Sequence, residues 1–310
     1  MASRTLRVTL ALALFAAPAG RASAQTLNVV ATTEDLGAIT RQVGGDKVAV
    51  TALAKGYQDP HFVDPKPSFI LAVSHADLLI VVGRELEIGW LPPLLTSSRN
   101  NKVQPGSKGY LDASLTVRIL DIPAGQITRA MGDVHPFGNP HYWLEPGNGR
   151  KIAQAIKDKL SELSPASAGF FAQRYADFDS RLGAAEKRWD EAMAPYKGTK
   201  IVTYHRSWPN FMERFGLNVM GYVEPKPGIP PSPSHTLELI QEMKAQSVKV
   251  IAVEPYFDLK TPQSIATQVG GQVVVLAPSV GGAKEAADYI ALFDYDVNLL
   301  AAALKHASGK

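Results

Sequence analysis

A long amphipathic helix near the middle of the chain constrains its fold more than any other feature. Ser164-Pro165 is typical of a helix start, and an apolar pattern with steps of three or four residues then continues until Pro195. The apolar positions are Phe171, Tyr175, Phe178, Leu182, Ala185, Trp189 and Met193. At about 1.5 Å per residue, such a helix is roughly 40–45 Å long. That length is typical of a rigid strut joining two lobes.

Strand-like and helix-like segments alternate on both sides of this helix. Residues 78–82, for example, form a continuous apolar run typical of a strand that is buried on both faces. The alternation predicts mostly parallel sheets covered by helices, and therefore an α/β fold of two lobes joined by one long rigid helix. The predicted boundaries are an N-terminal α/β lobe over 25–163, the linking helix over 164–195 and a C-terminal α/β lobe over 196–310.

The first 24 residues have the pattern of an export signal. Arg4 and Arg7 precede an apolar run at 8–17, which at about ten residues is too short to span a bilayer. Residues 22–24 (Ala-Ser-Ala) are typical of a cleavage site, so we expect cleavage before Gln25. No cysteine follows to accept a lipid. We therefore expect a periplasmic chain without a lipid anchor, the alternative being a chain tethered by the uncleaved segment.

The charge and the cysteine content limit the possible partners. The whole chain carries a formal charge of +3, and the three arginines of the export segment account for all of it. The mature chain is then formally neutral, which gives no reason to expect nucleic acid or an anionic membrane as partner. The absence of cysteine excludes disulfides, thiolate ligands and thiol nucleophiles. A bound metal would need histidine, carboxylate or water as ligands.

Three histidines share a similar local setting at widely separated positions. His61 lies in a proline-framed loop, His141 ends the irregular region 97–140, and His205 closes a strand-like run. Ligands of parallel α/β sheets collect at the carboxyl ends of the strands. Imidazoles that converge there form a suitable site for a borderline divalent metal such as zinc. Each histidine alone could be a loop or core residue, so the prediction depends on the three together.

A carboxylate is the expected complement to three neutral imidazoles, because zinc favours four ligands. Glu254 is the predicted fourth ligand, since it ends a strand beside that of His205. The alternative is that Glu254 hydrogen-bonds a ligating imidazole without touching the metal. Asp59 and Asp64 flank His61, and we expect them to shape its loop or to orient imidazoles.

His135 is a further histidine in the irregular region, six residues before His141. We interpret it as a loop residue. Its alternative role is contact with the metal during capture or release.

At these residues the chain resembles the periplasmic metal-binding (zinc/manganese) solute-binding proteins of ABC transporters, the TroA/ZnuA-like family. The resemblance covers essentially the whole mature chain and is carried by Gln58-Asp59-Pro60-His61, Ala76-Asp77-Leu78-Leu79, Asn139-Pro140-His141-Tyr142-Trp143-Leu144-Glu145-Pro146, Thr203-Tyr204-His205 and Pro230-Pro231-Ser232-Pro233. It implies two lobes joined by a long helix, with the metal in the cleft between them. It also implies that His61, His141 and His205 are the three histidine ligands, in the pattern of zinc rather than manganese binders.

One departure from the family pattern concerns the loop after the last strand. Ala277 stands where the family usually supplies an aspartate, and alanine cannot coordinate a metal. The expected site is then three histidines with either Glu254 or water as the fourth ligand.

The resemblance implies a binding protein and not an enzyme. We expect a monomer that captures a divalent metal ion, Zn²⁺ rather than Mn²⁺, and delivers it to the membrane permease of the same system. Two alternatives remain at this point. The first is an exported zinc-dependent hydrolytic enzyme in which Glu254 acts as general base. The second is a receptor for a chelated metal. Nucleotide-binding, α/β-hydrolase and zincin motifs do not occur in the chain.

Overall fold

The structure is a computed structural model that describes residues 26–125, 128, 131–132 and 134–309. The predicted export signal and its cleavage site lie outside these residues. The chain forms two α/β lobes, each built on a four-stranded sheet in which all paired strands run parallel. This confirms the predicted fold class. Over the ranges described, we find no helix with the length and apolar character needed to cross a membrane.

The N-terminal lobe is a sheet of order β2-β1-β3-β4 with helices packed on it. Its strands are β1 (Leu27–Ala31), β2 (Val48–Ala52), β3 (Leu78–Val81) and β4 (Tyr110–Asp112). Its helices are α1 (Glu34–Gly44), α2 (Pro67–Ser74), α3 (Leu91–Ser98) and α4 (Pro146–Leu163). Every residue of β3 is buried, as expected for an apolar strand that is covered on both faces.

The linking helix α5 (Ala168–Met193) follows a 3-10 turn at Pro165–Ser167 and continues into a second one at Ala194–Tyr196. It packs along α1 and α4 of the N-terminal lobe. The predicted apolar face is the buried face, except that Tyr175 is only partly buried. A helix of 26 residues is therefore stabilised by tertiary packing along its whole length.

The C-terminal lobe repeats the strand order of the first lobe, as β6-β5-β7-β8. Its strands are β5 (Lys200–Thr203), β6 (Asn218–Tyr222), β7 (Val250–Val253) and β8 (Gln272–Val275). Its helices are α6 (Pro209–Phe215), α7 (Pro233–Ala245), α8 (Lys260–Val269) and α9 (Tyr289–Ala307). The side chain of Ser232 caps α7 by accepting a hydrogen bond from the main-chain N–H of His235.

The last helix connects the two lobes a second time. Helix α9 packs against α5 and also reaches α1 of the N-terminal lobe. The Tyr289 hydroxyl donates a hydrogen bond of 2.5 Å to the Trp143 carbonyl, and its ring lies beside that of Phe178. One continuous apolar core includes residues of both lobes and of α5. A wide hinge opening would expose that core, so the fold favours small relative movements of the lobes.

Two elements of the N-terminal lobe are absent from the sequence prediction. Helix α3 begins with consecutive prolines, Pro92 and Pro93, which are compatible only with its first turn. Strand β4 is three residues long and follows Gly109, so its pattern is too short to recognise. The last helix begins at Tyr289, because the Asp288 side chain caps it by accepting hydrogen bonds from the main-chain N–H groups of Ile290 and Ala291.

Candidate metal centre

The loops at the carboxyl ends of the two sheets bring His61, His141 and His205 together. His61 lies between β2 and α2, His205 lies two residues after β5, and His141 directly precedes a 3-10 turn at Tyr142–Leu144. One possible ligand nitrogen from each imidazole lies within 4.8 Å of the other two. The three ring centroids are 5.2, 5.4 and 5.5 Å apart. The structure thus places the three sequence-predicted histidines around one point, and their binding of a metal remains a prediction.

Each of the three imidazoles is held on its Nδ1 side by a side-chain oxygen. The oxygen belongs to Asp59 for His61, to Asn139 for His141 and to Glu224 for His205. An imidazole that donates from Nδ1 keeps the lone pair of Nε2 free for a metal. The three contacts therefore select the tautomer and the ring orientation that a metal site requires.

The loop of His61 is fixed from two directions. Oδ1 of Asp59 accepts a hydrogen bond of 3.0 Å from the main-chain N–H of His61 and lies 2.6 Å from its Nδ1. Burial raises the pKa of Asp59, but the hydrogen bonds and charge of His61 outweigh it, and the net pKa is lowered. Trp90 donates a hydrogen bond of 3.0 Å from Nε1 to the Pro60 carbonyl. Asp59 thus has the expected orienting role, whereas Asp64 is exposed.

His205 and Glu224 are both buried and form a direct pair at the ends of neighbouring strands. Thr203 pairs with Tyr222 in the register of β5 and β6, so the residues two positions further on lie side by side. Burial lowers the pKa of His205, but the hydrogen bond and charge of Glu224 raise it more, and the net pKa lies above its usual value. Glu224 was not predicted from the sequence, although it follows a strand beside that of His205, which is the same signal that pointed to Glu254.

Asn139 connects His141 to the opposite lobe. Its Oδ1 accepts a hydrogen bond of 2.9 Å from the main-chain N–H of His141 and lies 3.0 Å from Nδ1 of that ring. Its Nδ2 donates a hydrogen bond of 2.8 Å to the carbonyl of Arg206, next to His205. Burial, and then the charges of the other histidines, lower the pKa of His141 well below its usual value. This imidazole is therefore neutral at physiological pH, which metal binding requires.

His135 also reaches the cluster. Its Nε2 lies 3.1 Å from Nε2 of His61, and the two ring centroids are 5.1 Å apart. Burial, followed by the charges of His61 and His205, lowers the pKa of His135 to about 3. Contact of His135 with the metal, the alternative to a plain loop residue, remains a prediction.

Glu254 is fully buried at the end of β7, beside β5 as predicted. Its Oε1 accepts a hydrogen bond of 3.0 Å from Nε1 of Trp208. Burial raises its pKa against the opposing charge of His205. Glu254 is not one of the side chains whose ligand atoms converge within 4.8 Å. Its role as a metal ligand remains a prediction.

The loop after β8 carries Ala277, which is buried and donates its main-chain N–H to Oδ1 of Asp296 at 2.8 Å. The same loop contacts the N-terminal lobe. Asp35 in the first turn of α1 accepts a hydrogen bond from the Ser279 hydroxyl and one of 2.9 Å from the main-chain N–H of Val280. This loop therefore joins the lobes beside the histidine cluster but supplies no ligand at Ala277.

Two parallel α/β lobes on one long helix, with a histidine cluster where the lobes meet, define the class of metal-binding solute-binding proteins of ABC transporters. The family model described as zinc-uptake complex component A, periplasmic (ZnuA), matches residues 29–303. The chain belongs to this family.

Curated relatives are similar over most of the chain. The zinc-binding lipoprotein AdcA of Streptococcus pneumoniae is 25% identical over 258 residues, which is 81% of this chain. The chain spans only 50% of the length of AdcA. The manganese ABC transporter substrate-binding lipoprotein PsaA of Streptococcus anginosus is 25% identical over 304 residues, 94% of this chain and 95% of PsaA.

Solved structures share the fold. A crystal structure of ZnuA superposes with a TM-score of 0.76 at 24% identity and covers 90% of this chain and 99% of its own. The periplasmic metal binding protein from Candidatus Liberibacter asiaticus superposes with a TM-score of 0.73 at 18% identity, covering 89% of this chain and 98% of its own. These similarities extend the two-lobed architecture over nearly the whole described chain.

Proposed function

We propose that this protein captures a zinc ion in the periplasm and delivers it to the permease of an ABC transporter. One observation carries the proposal. Three imidazole nitrogens from distant parts of the chain lie within 4.8 Å of one another, and each ring is held from its other nitrogen. Orienting partners of this kind are typical of ligating histidines. The ligands we propose are His61, His141 and His205.

The donor set supports zinc as the cargo. Neutral imidazoles suit zinc, whereas carboxylate, carbonyl and water oxygens suit manganese. In this chain the carboxylates of Asp59 and Glu224 contact the imidazoles at Nδ1, so they act on the rings. The curated relatives include both a zinc-binding and a manganese-transporting protein, so the choice of metal depends on this chain's own residues.

Membership of the family supports the proposal that the metal is delivered to a membrane permease. Relatives such as PsaA are named as substrate-binding components of ABC transporters, and we propose that this chain docks on a membrane permease as a monomer. Those relatives are also named lipoproteins. The absence of cysteine from the chain supports a protein without a lipid anchor, as expected from the sequence.

A binding role accounts for the site better than the two alternatives. An enzyme that used Glu254 as general base would need that carboxylate at the metal, but Oε1 of Glu254 is held by Trp208. A receptor for a chelated metal would need space around the ion. His141 and His205 are instead 1% and 7% exposed, and nitrogens within 4.8 Å of one another suit a bare ion.

The test is a zinc titration of the purified mature chain against a competing chelator. We expect one zinc ion per chain, and His205→Ala should weaken binding strongly. His306→Ala is the matched control, because His306 is exposed at the end of α9 and should leave binding unchanged. A mature chain that binds no zinc below about 10 μM would contradict the proposal, since specific sites are tighter than this.

A further inference from the structure

The distance between His135 and His61 is that of two ligands on one metal ion. Their Nε2 atoms lie 3.1 Å apart. Zinc–nitrogen bonds of about 2.0–2.1 Å in a tetrahedral site place neighbouring ligand nitrogens roughly 3.3–3.4 Å apart. We propose that His135 is the fourth ligand of the site, which then consists of four imidazoles. This inference rests on the proposed function and names the ligand that completes it.

The loop after β3 lies against the His135 ring and is rigidly held. The main chain of Arg84 in this loop is a hydrogen-bond partner of the ring. Arg84 and Glu85 both have positive φ angles, 53° and 65°, which is a costly backbone conformation for residues with a side chain. The buried carboxylate of Glu87 holds the loop by accepting hydrogen bonds from the main-chain N–H groups of Val82 at 2.7 Å and Gly83 at 3.0 Å. The loop is therefore held firmly in the shape that meets His135.

His135 supplies a donor that the loop after β8 lacks. Ala277 in that loop has no side-chain group that can bind a metal. His135 approaches the cluster from the loop before His141, and its ring centroid is 6.4 Å from that of His141. It is not one of the three residues whose ligand atoms all lie within 4.8 Å of one another, so its ring must move closer to His141 and His205 when zinc binds. The fourth donor thus comes from a different part of the chain.

Four neutral imidazoles do not offset the positive charge of a zinc ion. Nearby carboxylates that do not bind the metal supply the negative charge. Asp59, Glu224 and Glu254 all act electrostatically on His205. Asp59 and Glu224 contact imidazoles at Nδ1, and Glu254 is hydrogen-bonded by Trp208. These carboxylates attract a dication without binding it, so all the atoms that bind the metal are imidazole nitrogens. Such a donor set suits zinc better than manganese, which prefers oxygen ligands.

The deciding experiment counts the imidazoles bound to zinc in the full mature chain by X-ray absorption at the zinc edge. The inference predicts four in the unmodified protein and three, with water as the fourth ligand, in His135→Ala. It also predicts that His135→Ala weakens zinc binding by at least about 100-fold, because loss of a ligand should cost no less than loss of a partner that only orients one. Cobalt(II) substituted into the site reports the same change in its visible spectrum.

Two further variants separate the outcomes. His75→Ala removes an exposed histidine and should change neither the count nor the affinity. Glu254→Gln should keep four imidazoles, because Glu254 is not a ligand in this account. Three imidazoles in the unmodified protein, or an unchanged site in His135→Ala, would overturn the inference while zinc binding upheld the proposed function. An unmodified chain that binds no zinc would overturn both.

Discussion

The carboxylate of Glu224 accepts a hydrogen bond from Nδ1 of His205. The two residues lie just beyond the ends of two neighbouring parallel strands. Both side chains are buried, so the contact is shielded from solvent. It occupies Nδ1 of the ring and leaves Nε2 as the nitrogen that can bind a metal. We therefore expect the affinity and the pH response of the proposed zinc site to depend on Glu224, which contacts His205 rather than the proposed ion.

Glu224→Gln should weaken zinc binding about 10-fold at about pH 8, the lower range for loss of a charged partner of a ligating histidine. The amide retains an acceptor for Nδ1 but loses the negative charge that makes the ring a stronger donor. Chelator competition measures the change. Glu242→Gln, at an exposed position of α7, is the control and should leave the affinity unaltered. Equal affinities for Glu224→Gln and the unmodified chain would show that the pair has no influence on the metal.

Zinc binding should release a proton from His205. Its pKa is raised above the usual value because the hydrogen bond and charge of Glu224 outweigh the effect of burial, so the metal-free ring keeps its proton to a higher pH than an ordinary imidazole does. Affinity should then rise with pH until this group is fully deprotonated, and fall as the pH drops through its pKa. Calorimetry in buffers of different ionisation enthalpy measures the released proton. Glu224→Gln should reduce the release, and a release of the same size in that variant would contradict the assignment.

Asn139 should contribute to zinc binding in two separable ways. Asn139→Ala removes the acceptor for the His141 ring and the donor to the Arg206 carbonyl, and should weaken zinc binding about 10- to 100-fold. Asn139→Asp retains the ring acceptor and loses only the donor across the lobes, so its loss should be smaller. Asn218→Asp, at an exposed position, is the control for the added charge. Competition titrations rank the variants, and a larger loss in Asn139→Asp than in Asn139→Ala would contradict this division.

Asp35 should make the metal-free protein less stable as the pH rises. Burial raises its pKa from 3.8 to about 7, so the folded state retains a proton that the unfolded state loses. The associated stability is present below the unfolded pKa and is lost as the pH rises through about 7, by on the order of 4 kcal/mol. Urea unfolding across this range measures the free energy of unfolding.

Asp35→Asn removes the titrating group and should flatten this part of the profile. Burial also raises the pKa of Glu87 to about 7. The free energy of unfolding of Asp35→Asn should therefore still fall somewhat as the pH rises. Asp46→Asn, at a site with an exposed carboxylate, is the control and should retain the full slope. An unchanged slope in Asp35→Asn would show that this contact between the lobes does not titrate in the expected range.

The fold was largely predictable because the spacing of apolar residues along the chain identifies most of its helices and strands. The steps from Phe171 to Met193 identify α5, and unbroken apolar runs such as β3 identify the buried strands. The two missed elements lack such a pattern. Strand β4 is held by pairing with β3 and not by its own three residues, so only the folded neighbours reveal it.

The convergence of the three histidines was predictable from the sequence, but their hydrogen-bond partners were less so. His61, His141 and His205 share strand ends and loops that can be recognised locally. The partner Glu224 depends on the order and register of β5 and β6, which the sequence does not state. The approach of His135 depends on the path of its loop around the cluster, which has no periodic signal.

The most direct test of the central claim is a crystal structure of the zinc-loaded mature chain with anomalous data collected on both sides of the zinc edge. The account predicts one anomalous peak between the lobes, about 2.0–2.1 Å from the Nε2 atoms of His61, His141 and His205. A peak at any other place, or a zinc ion that is bonded to fewer than these three imidazoles, would contradict it.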